Sequence, residues 1–417
     1  MFTVDQVLQI IAEKVIPVAA HPVSLAAAEG AVLASPIVMD QDSPAFDRAQ
    51  LDGFAVKSSD AREGERLQLI GQIDAGGAPF RGVINPGQCA GINTGAMMPQ
   101  GADAVLMVEH SEKMSAPHGD FIKAKRTVPP GYGVRPRGAD AAKGAIVLHA
   151  GVRLFGPQLA ACAAAGVGTP SVRSIRIAVL STGDELVDVT ADPLPLPLGK
   201  IRNSNHPMLS ALARDAIGPG GVVLNLGTSP DEITEVRTRL LRGLTEADLL
   251  IVAGGMSMGT RDLVPPLLKE LGVHFHVEKV KMKPGKPFVL GTWEGQKGAT
   301  HGRTYVAGLP GNPVSAYVTF QRFVREMIHA LSGVAAPALR RIRALTELPL
   351  EPNGDREFFQ PCTLHQNGAT SVAKILPWKG SADLFTLAQS DALLVRPPHA
   401  PKAEASSEVD VLLTSWR

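Results

Sequence analysis

Leu249-Leu250-Ile251-Val252-Ala253 runs directly into Gly254-Gly255-Met256-Ser257-Met258-Gly259, with Asp262 close behind. Five apolar residues without polar alternation read as a strand covered on both faces, as in parallel sheets flanked by helices. The glycines allow a tight turn and let backbone amides approach an oxyanion. A helix expected over 263–271 adds partial positive charge at the same place. Taken alone, the stretch is explained equally well as a plain strand-to-helix turn.

The same rhythm continues on both sides. Ile175–Leu180 reads as a buried strand, and Ser204 is placed to cap a helix over 206–216. Val222–Leu226 is a strand, and an amphipathic helix is expected from Asp231 to Leu244. His274–Lys283 is extended, Tyr305–Ala307 is a strand, and Val314–Ala330 is a long helix. This alternation calls for a doubly wound, mostly parallel sheet with ligands at the carboxyl ends of its strands.

Around this centre the pattern changes. Thr3 and Gln6 have capping-box spacing for a helix that carries Val4, Val7, Leu8, Ile11 and Val15 on one face until His21-Pro22. Short β segments punctuated by Gly and Pro fill 45–140, and a helix with Pro157 in its first turn ends at Gly166. After Leu339 β segments return at 342–348, 357–363, 372–376, 393–396 and 409–413, in the manner of a small barrel or sandwich. The expected fold is therefore a multidomain α/β protein. Its parts are an elongated linker domain (1–44 with 141–173), an inserted β-rich domain (45–140), a central α/β domain (174–332) and a C-terminal β barrel (333–417).

With 417 residues, two to four domains are expected. A net charge of +1 gives no global attraction to nucleic acid or an anionic membrane, so anion binding must come from local clusters. No apolar run is long enough to span a bilayer, and no signal peptide is apparent. Cys89, Cys162 and Cys362 are isolated, which fits a reducing, cytoplasmic setting and neither disulfides nor a zinc site.

Several loops carry chemistry. Ser181-Thr182-Gly183-Asp184-Glu185-Leu186 ends one strand with hydroxyls and two acids, suited to a cation, a ribose or a pterin; a solvated acidic loop is the plainer explanation. In Lys279-Val280-Lys281-Met282-Lys283-Pro284-Gly285-Lys286-Pro287, alternation puts Lys279, Lys281 and Lys283 on one face. Three like charges without an interleaved acid call for solvent or an anion, and Lys286 extends the cluster; a lysine-defended edge strand is the alternative. Gly308-Leu309-Pro310-Gly311-Asn312-Pro313 ends another strand, with Asn312 placed to cap the next helix. Asp52-Gly53, Asn93-Thr94-Gly95 and Arg135-Pro136-Arg137-Gly138-Ala139-Asp140 are, singly, ordinary turns. No HExxH, GxSxG or phosphate-loop lysine motif appears.

Together these stretches resemble the MoeA family of molybdopterin molybdenumtransferases, related to the gephyrin E domain. LDGFAV, INTGAMMPQGADAV, VRPRGAD, STGDEL, GKIRNSN, GGMSMGTRD, KVKMKPGKP and GLPGNPVSA occur in the family's order over about residues 50–320. The chain departs from the family at Gln50-Leu51 and at Ala139. It also departs at Gly354-Asp355-Arg356, where the arginine usually follows the glycine directly. Ser381 is a loose match to a family serine.

The resemblance implies insertion of molybdate into adenylylated molybdopterin with release of AMP, assisted by Mg²⁺. It implies a homodimer with a shared active site. Asp184, Glu185, Asp231 and Asp262 would line the phosphate and cation side, with Asp184, Glu185 and Asp262 as metal ligands. Ser181, Thr182, Gly183, Gly254, Gly255, Ser257 and Gly259 would hold the pterin phosphate. Lys279, Lys283 and Lys286, with Pro310, Gly311, Asn312 and Pro313, would form the molybdate pocket. Asp52, Thr94 and Asp140 would come from the second subunit, and Arg135 would bind the cofactor. The expected partners are a molybdopterin adenylyltransferase and the acceptor molybdoenzymes or their chaperones, with no nucleic acid or membrane. Molybdopterin adenylylation and a non-catalytic, gephyrin-like scaffold are the competing readings.

Overall fold

The computed structural model describes residues 1–190, 195–256, 263–297, 300–334 and 339–414. They form two compact units: 1–35 with 150–159 and 169–417, and 36–149 with 160–168.

The first unit is built on a six-stranded sheet. Its strands are β1 (Arg176–Thr182), β2 (Val222–Ser229), β3 (Leu249–Ala253), β4 (His274–Lys279), β5 (Pro287–Lys297) and β6 (Thr300–Leu309), in the order β2-β1-β3-β6-β5-β4. The first four in that order are parallel, and β5 runs antiparallel to both neighbours. All five residues of β3 are buried because each face is covered. Ile177, Val179, Ile251 and Ala307 pack with Val7, Leu209 and Phe320 on one side. Ala178, Leu180, Leu250 and Val252 pack with Val236, Leu240 and Leu268 on the other. Each large side chain so buried contributes about 1.5–3 kcal/mol.

Three local expectations change. The run 274–283 is not one strand. After Lys279 the chain leaves the sheet, bridged by Phe2, which donates to the Lys279 carbonyl at 3.1 Å and accepts from Lys281 at 2.7 Å. Met282–Lys283 then pairs in parallel with Glu357–Phe358. β5 leaves no clear strand signal in the sequence, because Gly291, Gly295 and Gln296 interrupt its apolar pattern, and β6 extends well beyond Tyr305–Ala307. The helix expected over 314–330 has α-helical ends, Pro313–Thr319 and Arg325–Ser332, joined by a π-helical turn at Phe320–Val324.

The C-terminal strands are β7 (Arg341–Thr346), β8 (Glu357–Asn367), β9 (Thr370–Ile375), β10 (Ala392–Arg396) and β11 (Glu408–Leu413). They follow the order β8-β9-β7-β11-β10, and β10 pairs back to β8, which closes a five-stranded barrel. β10 is buried throughout because Ala392 and Leu394 face the barrel interior while Leu393 and Val395 join the core of the α/β sheet.

The second unit is β-rich. Its main sheet orders the strands Ala104–Met107, Gly53–Val56, Gln88–Ile92, Arg66–Ile73, Gly119–Ala124 and Ser111–Ala116. Two short pairs, Arg48–Ala49 with Val134–Arg135 and Ile37–Val38 with Ile146–Leu148, complete it.

Candidate functional site

The parallel strands deliver their loops to one edge of the sheet. Ser181 and Thr182, at the end of β1, are buried, and neither hydroxyl has a hydrogen-bond partner among the described residues. Next to them lies the turn after β3, where Gly254 has φ +92° and Gly255 φ +60°. A Cβ on Gly254 would sit 2.3 Å from the Thr182 carbonyl oxygen, so only glycine fits this approach. Two buried hydroxyls are thus left over beside a glycine turn at the strand ends. Ser257, Gly259 and Asp262 lie outside the described residues.

Asp184 and Asp231 are tied to each other. The Asp231 amide donates to Asp184 Oδ1 at 2.9 Å, and the Asp184 amide donates to Asp231 Oδ2 at 3.4 Å. Asp231 is therefore not the start of a helix. Glu232 caps Ile233–Glu246 instead, its carboxylate accepting from Thr234 at 3.0 Å and Glu235 at 2.8 Å. Those backbone bonds hold Glu232 below the usual carboxylate range. Asp184, Glu185, Lys200 and Asp231 line a cavity of about 610 Å³, where the Lys200 ammonium donates to the Asp184 carbonyl. Among the described residues no three His, Cys, Asp or Glu side chains gather as a metal cage. The acids fit a Mg²⁺ ion that takes one or two carboxylates and completes its shell with water and substrate phosphate.

A second cavity, of about 550 Å³, joins the lysine stretch to the loop after β6. Lys283, Lys286, Asn312, Ser315, Arg356 and Ser381 are among its walls. Asn312 does not cap its helix: its amide donates to Ser381 Oγ at 3.1 Å. The Val314 amide donates to the Ser381 carbonyl at 3.0 Å, and Asn205 donates to the Gly311 carbonyl at 2.6 Å. Ser204 likewise makes no side-chain cap; Asn203 accepts from the His206 amide at 3.1 Å instead. Lys279, Lys281 and Lys283 are exposed and alternate with buried Val280 and Met282, yet Lys279 and Lys281 lie outside this lining. Lys283 reaches it with its ammonium 4.4 Å from the Phe358 ring centroid. Pairing at Met282–Lys283 redirects the chain, which no lysine spacing reveals. Arg356 and Ser381, only loosely matched in sequence, reach the cavity through the barrel and the segment before β10.

In the second unit Asp52 Oδ1 accepts from the Thr94 amide at 2.7 Å and its hydroxyl at 2.9 Å. The amide bond first, then the hydroxyl, hold the Asp52 carboxyl below its ordinary 3.8. Asp140 is bracketed by Arg135, whose Nε donates to Oδ1 at 2.9 Å, and by Arg48, 3.4 Å from Oδ2. The unit thus presents two organised carboxylates, one held by a threonine and one by arginines.

Three family profiles match the chain: the MoeA N-terminal region (domain I and II) over 2–166, a probable molybdopterin binding domain over 178–330, and the MoeA C-terminal region (domain IV) over 343–414. The chain is 34% identical to a molybdopterin molybdenumtransferase of Nostoc, over 90% of this chain and 84% of that protein. It is 32% identical to one of Bacillus subtilis, over 91% and 86%. A solved MoeA protein from Pyrococcus horikosii superposes with a TM-score of 0.82 at 27% identity and full coverage of both chains. The order of the strand-end loops, the closed barrel and these matches over nearly the whole length agree: the chain belongs to the MoeA family.

Proposed function

We propose that this chain is a molybdopterin molybdenumtransferase that takes molybdate and adenylylated molybdopterin and releases AMP. The observation that carries the reading is the cavity of about 550 Å³ between the lysine stretch and the loop after β6. A tetrahedral dianion needs cationic and neutral hydrogen-bond donors, and Lys283, Lys286 and Arg356 supply the first, Asn312 and Ser381 the second. Pro310 and Pro313 stiffen the loop that carries Asn312. Lys279 lies outside the lining of this cavity.

Ser181 and Thr182, with the turn at Gly254 and Gly255, are assigned to the pterin phosphate. Asp184 and Glu185, with Asp262, would hold Mg²⁺ beside Asp231, and the ion would supply positive charge to the substrate phosphates. In the overall reaction the two dithiolene thiols give up their protons as their sulfurs bond to molybdenum, one oxo group of molybdate takes both protons and departs as water, and a second water cleaves the phosphoanhydride to leave AMP and the pterin phosphate. The residues act by positioning and charge neutralisation, without a covalent enzyme intermediate. Asp52, Thr94, Arg135 and Asp140 are assigned to a second copy of the chain, which completes the site. A molybdopterin adenylyltransferase supplies the substrate, and acceptor molybdoenzymes or their chaperones take the product.

The test is reconstitution with adenylylated molybdopterin, Mg²⁺ and molybdate, following AMP. AMP release that requires molybdate supports the reading, and its absence overturns it. Formation of adenylylated molybdopterin from ATP and molybdopterin would move the assignment to the adenylyltransferase.

A further inference from the structure

Arg396 ends β10 only 6% exposed, yet no carboxylate of the described residues lies within ion-pair distance of it. Its Nη2 donates to the main-chain carbonyls of Glu351, at 3.2 Å, and Pro401, while Nε has no partner. Burial alone accounts for its lowered pKa, since no acid acts on it. A guanidinium out of water without a counter-charge is costly, and main-chain carbonyls compensate only part of that cost. A chain that keeps such a group at a strand end holds it for something that completes the shell.

The surroundings say what that is. Arg396 lines a cavity of about 680 Å³ on the face of β10 that also carries Ala392 and Leu394, walled by Leu348, Pro349, Leu350, Pro377 and the Phe358 ring. Lys283 stands at its edge, and Lys374, also in the lining, is already paired with Glu347 at 3.1 Å. The one acid in the lining is Glu351, which meets Arg396 through its carbonyl and not through its carboxylate. An apolar enclosure with an unpaired guanidinium is complementary to a small molecule with an apolar body and an anionic end. A bare oxyanion would leave the apolar walls unused.

We propose that this cavity is a binding site for a small organic anion, a phosphomonoester or carboxylate, whose charged end meets Arg396. The site is distinct from the molybdate cavity and touches it only through Lys283 and Phe358, which stand in both linings. Its occupant need not take part in molybdenum insertion, so it can be tested without the reaction. The alternative is that Arg396 only staples the loops at Glu351 and Pro401.

Phenyl phosphate is the probe, with inorganic phosphate and phenol as controls, titrated calorimetrically into the full-length wild-type protein, Arg396→Leu and Arg396→Lys. The site predicts saturable binding of phenyl phosphate, weaker by roughly tenfold or more in Arg396→Leu and only partly restored by Arg396→Lys, which lacks the fork. Equal affinity for inorganic phosphate or for phenol would overturn the organic-anion assignment, and unchanged binding in Arg396→Leu would overturn the site. Should the leucine variant not fold, the Nε–H resonance of Arg396 in the wild-type protein decides: it moves on saturation if the site is real and stays put if Arg396 is a staple.

Discussion

Asp52 and Thr94 are forty-two positions apart in sequence, yet one threonine gives one carboxylate oxygen two hydrogen bonds. Because the amide bond is the larger cause, Thr94→Val removes only the smaller one. Carbon-detected NMR is expected to show the Asp52 titration moving up in Thr94→Val while remaining below 3.8. An unmoved midpoint would remove the hydroxyl from the account. The sign for stability follows from a depressed folded value: the bonds favour the folded state above the unfolded carboxyl pKa, and that contribution is lost as pH falls through the folded value. Thr94→Val should therefore lower stability at neutral pH, and the difference from the wild type should close as pH falls through the folded value. The lysines make a second contrast at this scale. Lys286 lines the cavity proposed for molybdate and Lys281 does not, although both are exposed. Lys286→Gln is expected to raise the molybdate concentration for half-maximal AMP release roughly tenfold, and Lys281→Gln to leave it unchanged, with similar melting temperatures in both. Equal effects would mean that the whole stretch acts as a diffuse field, not as a pocket.

The element that matters most is the turn after β3. Gly254 and Gly64 share nearly the same φ, +92° and +90°, but a Cβ on Gly64 would meet nothing within 4 Å, whereas on Gly254 it would meet the Thr182 carbonyl at 2.3 Å. Gly64→Ala therefore isolates the conformational penalty, about 1 kcal/mol in denaturant unfolding. Gly254→Ala adds a backbone collision and is expected to cost at least about 2–3 kcal/mol, and to abolish AMP release even where the protein stays folded. Comparable costs in the two variants would show that the turn can shift away from β1. This element was legible from sequence, since a wholly apolar run followed by glycines has few other forms. The capping residues were not. Ser204 and Asn312 have the right side chains for caps, but Asn203 takes over one helix start and Ser381 engages the Asn312 amide. Propensity says what a side chain can do locally, and a partner sixty-nine positions away decides what it does. β5 was invisible for a related reason: its glycines weaken the local pattern, and pairing along both β4 and β6 makes it a strand.

At the scale of the molecule, the order of loops along the chain told which segments share an edge of one sheet, because parallel strands must present their carboxyl ends together. What the order could not tell is which lysine meets which cavity, since that depends on Met282–Lys283 leaving the sheet to pair with the barrel. The barrel is thereby part of the cavity proposed for molybdate, through Arg356 and Phe358. The remaining question at this scale is where Asp52, Thr94 and Asp140 act. If a second copy supplies them, two inactive chains can repair each other. Asp52→Asn damages only the donated half of a site, and Lys286→Gln combined with Arg356→Gln damages only the receiving half. Refolded together in equal amounts, half of the dimers are mixed, and each mixed dimer holds one intact site beside one doubly damaged site. The mixture should recover about a quarter of wild-type AMP release, although neither variant alone has appreciable activity. If each chain carries a complete site of its own, mixing recovers nothing, and the shared-site assignment falls while the molybdate cavity stands.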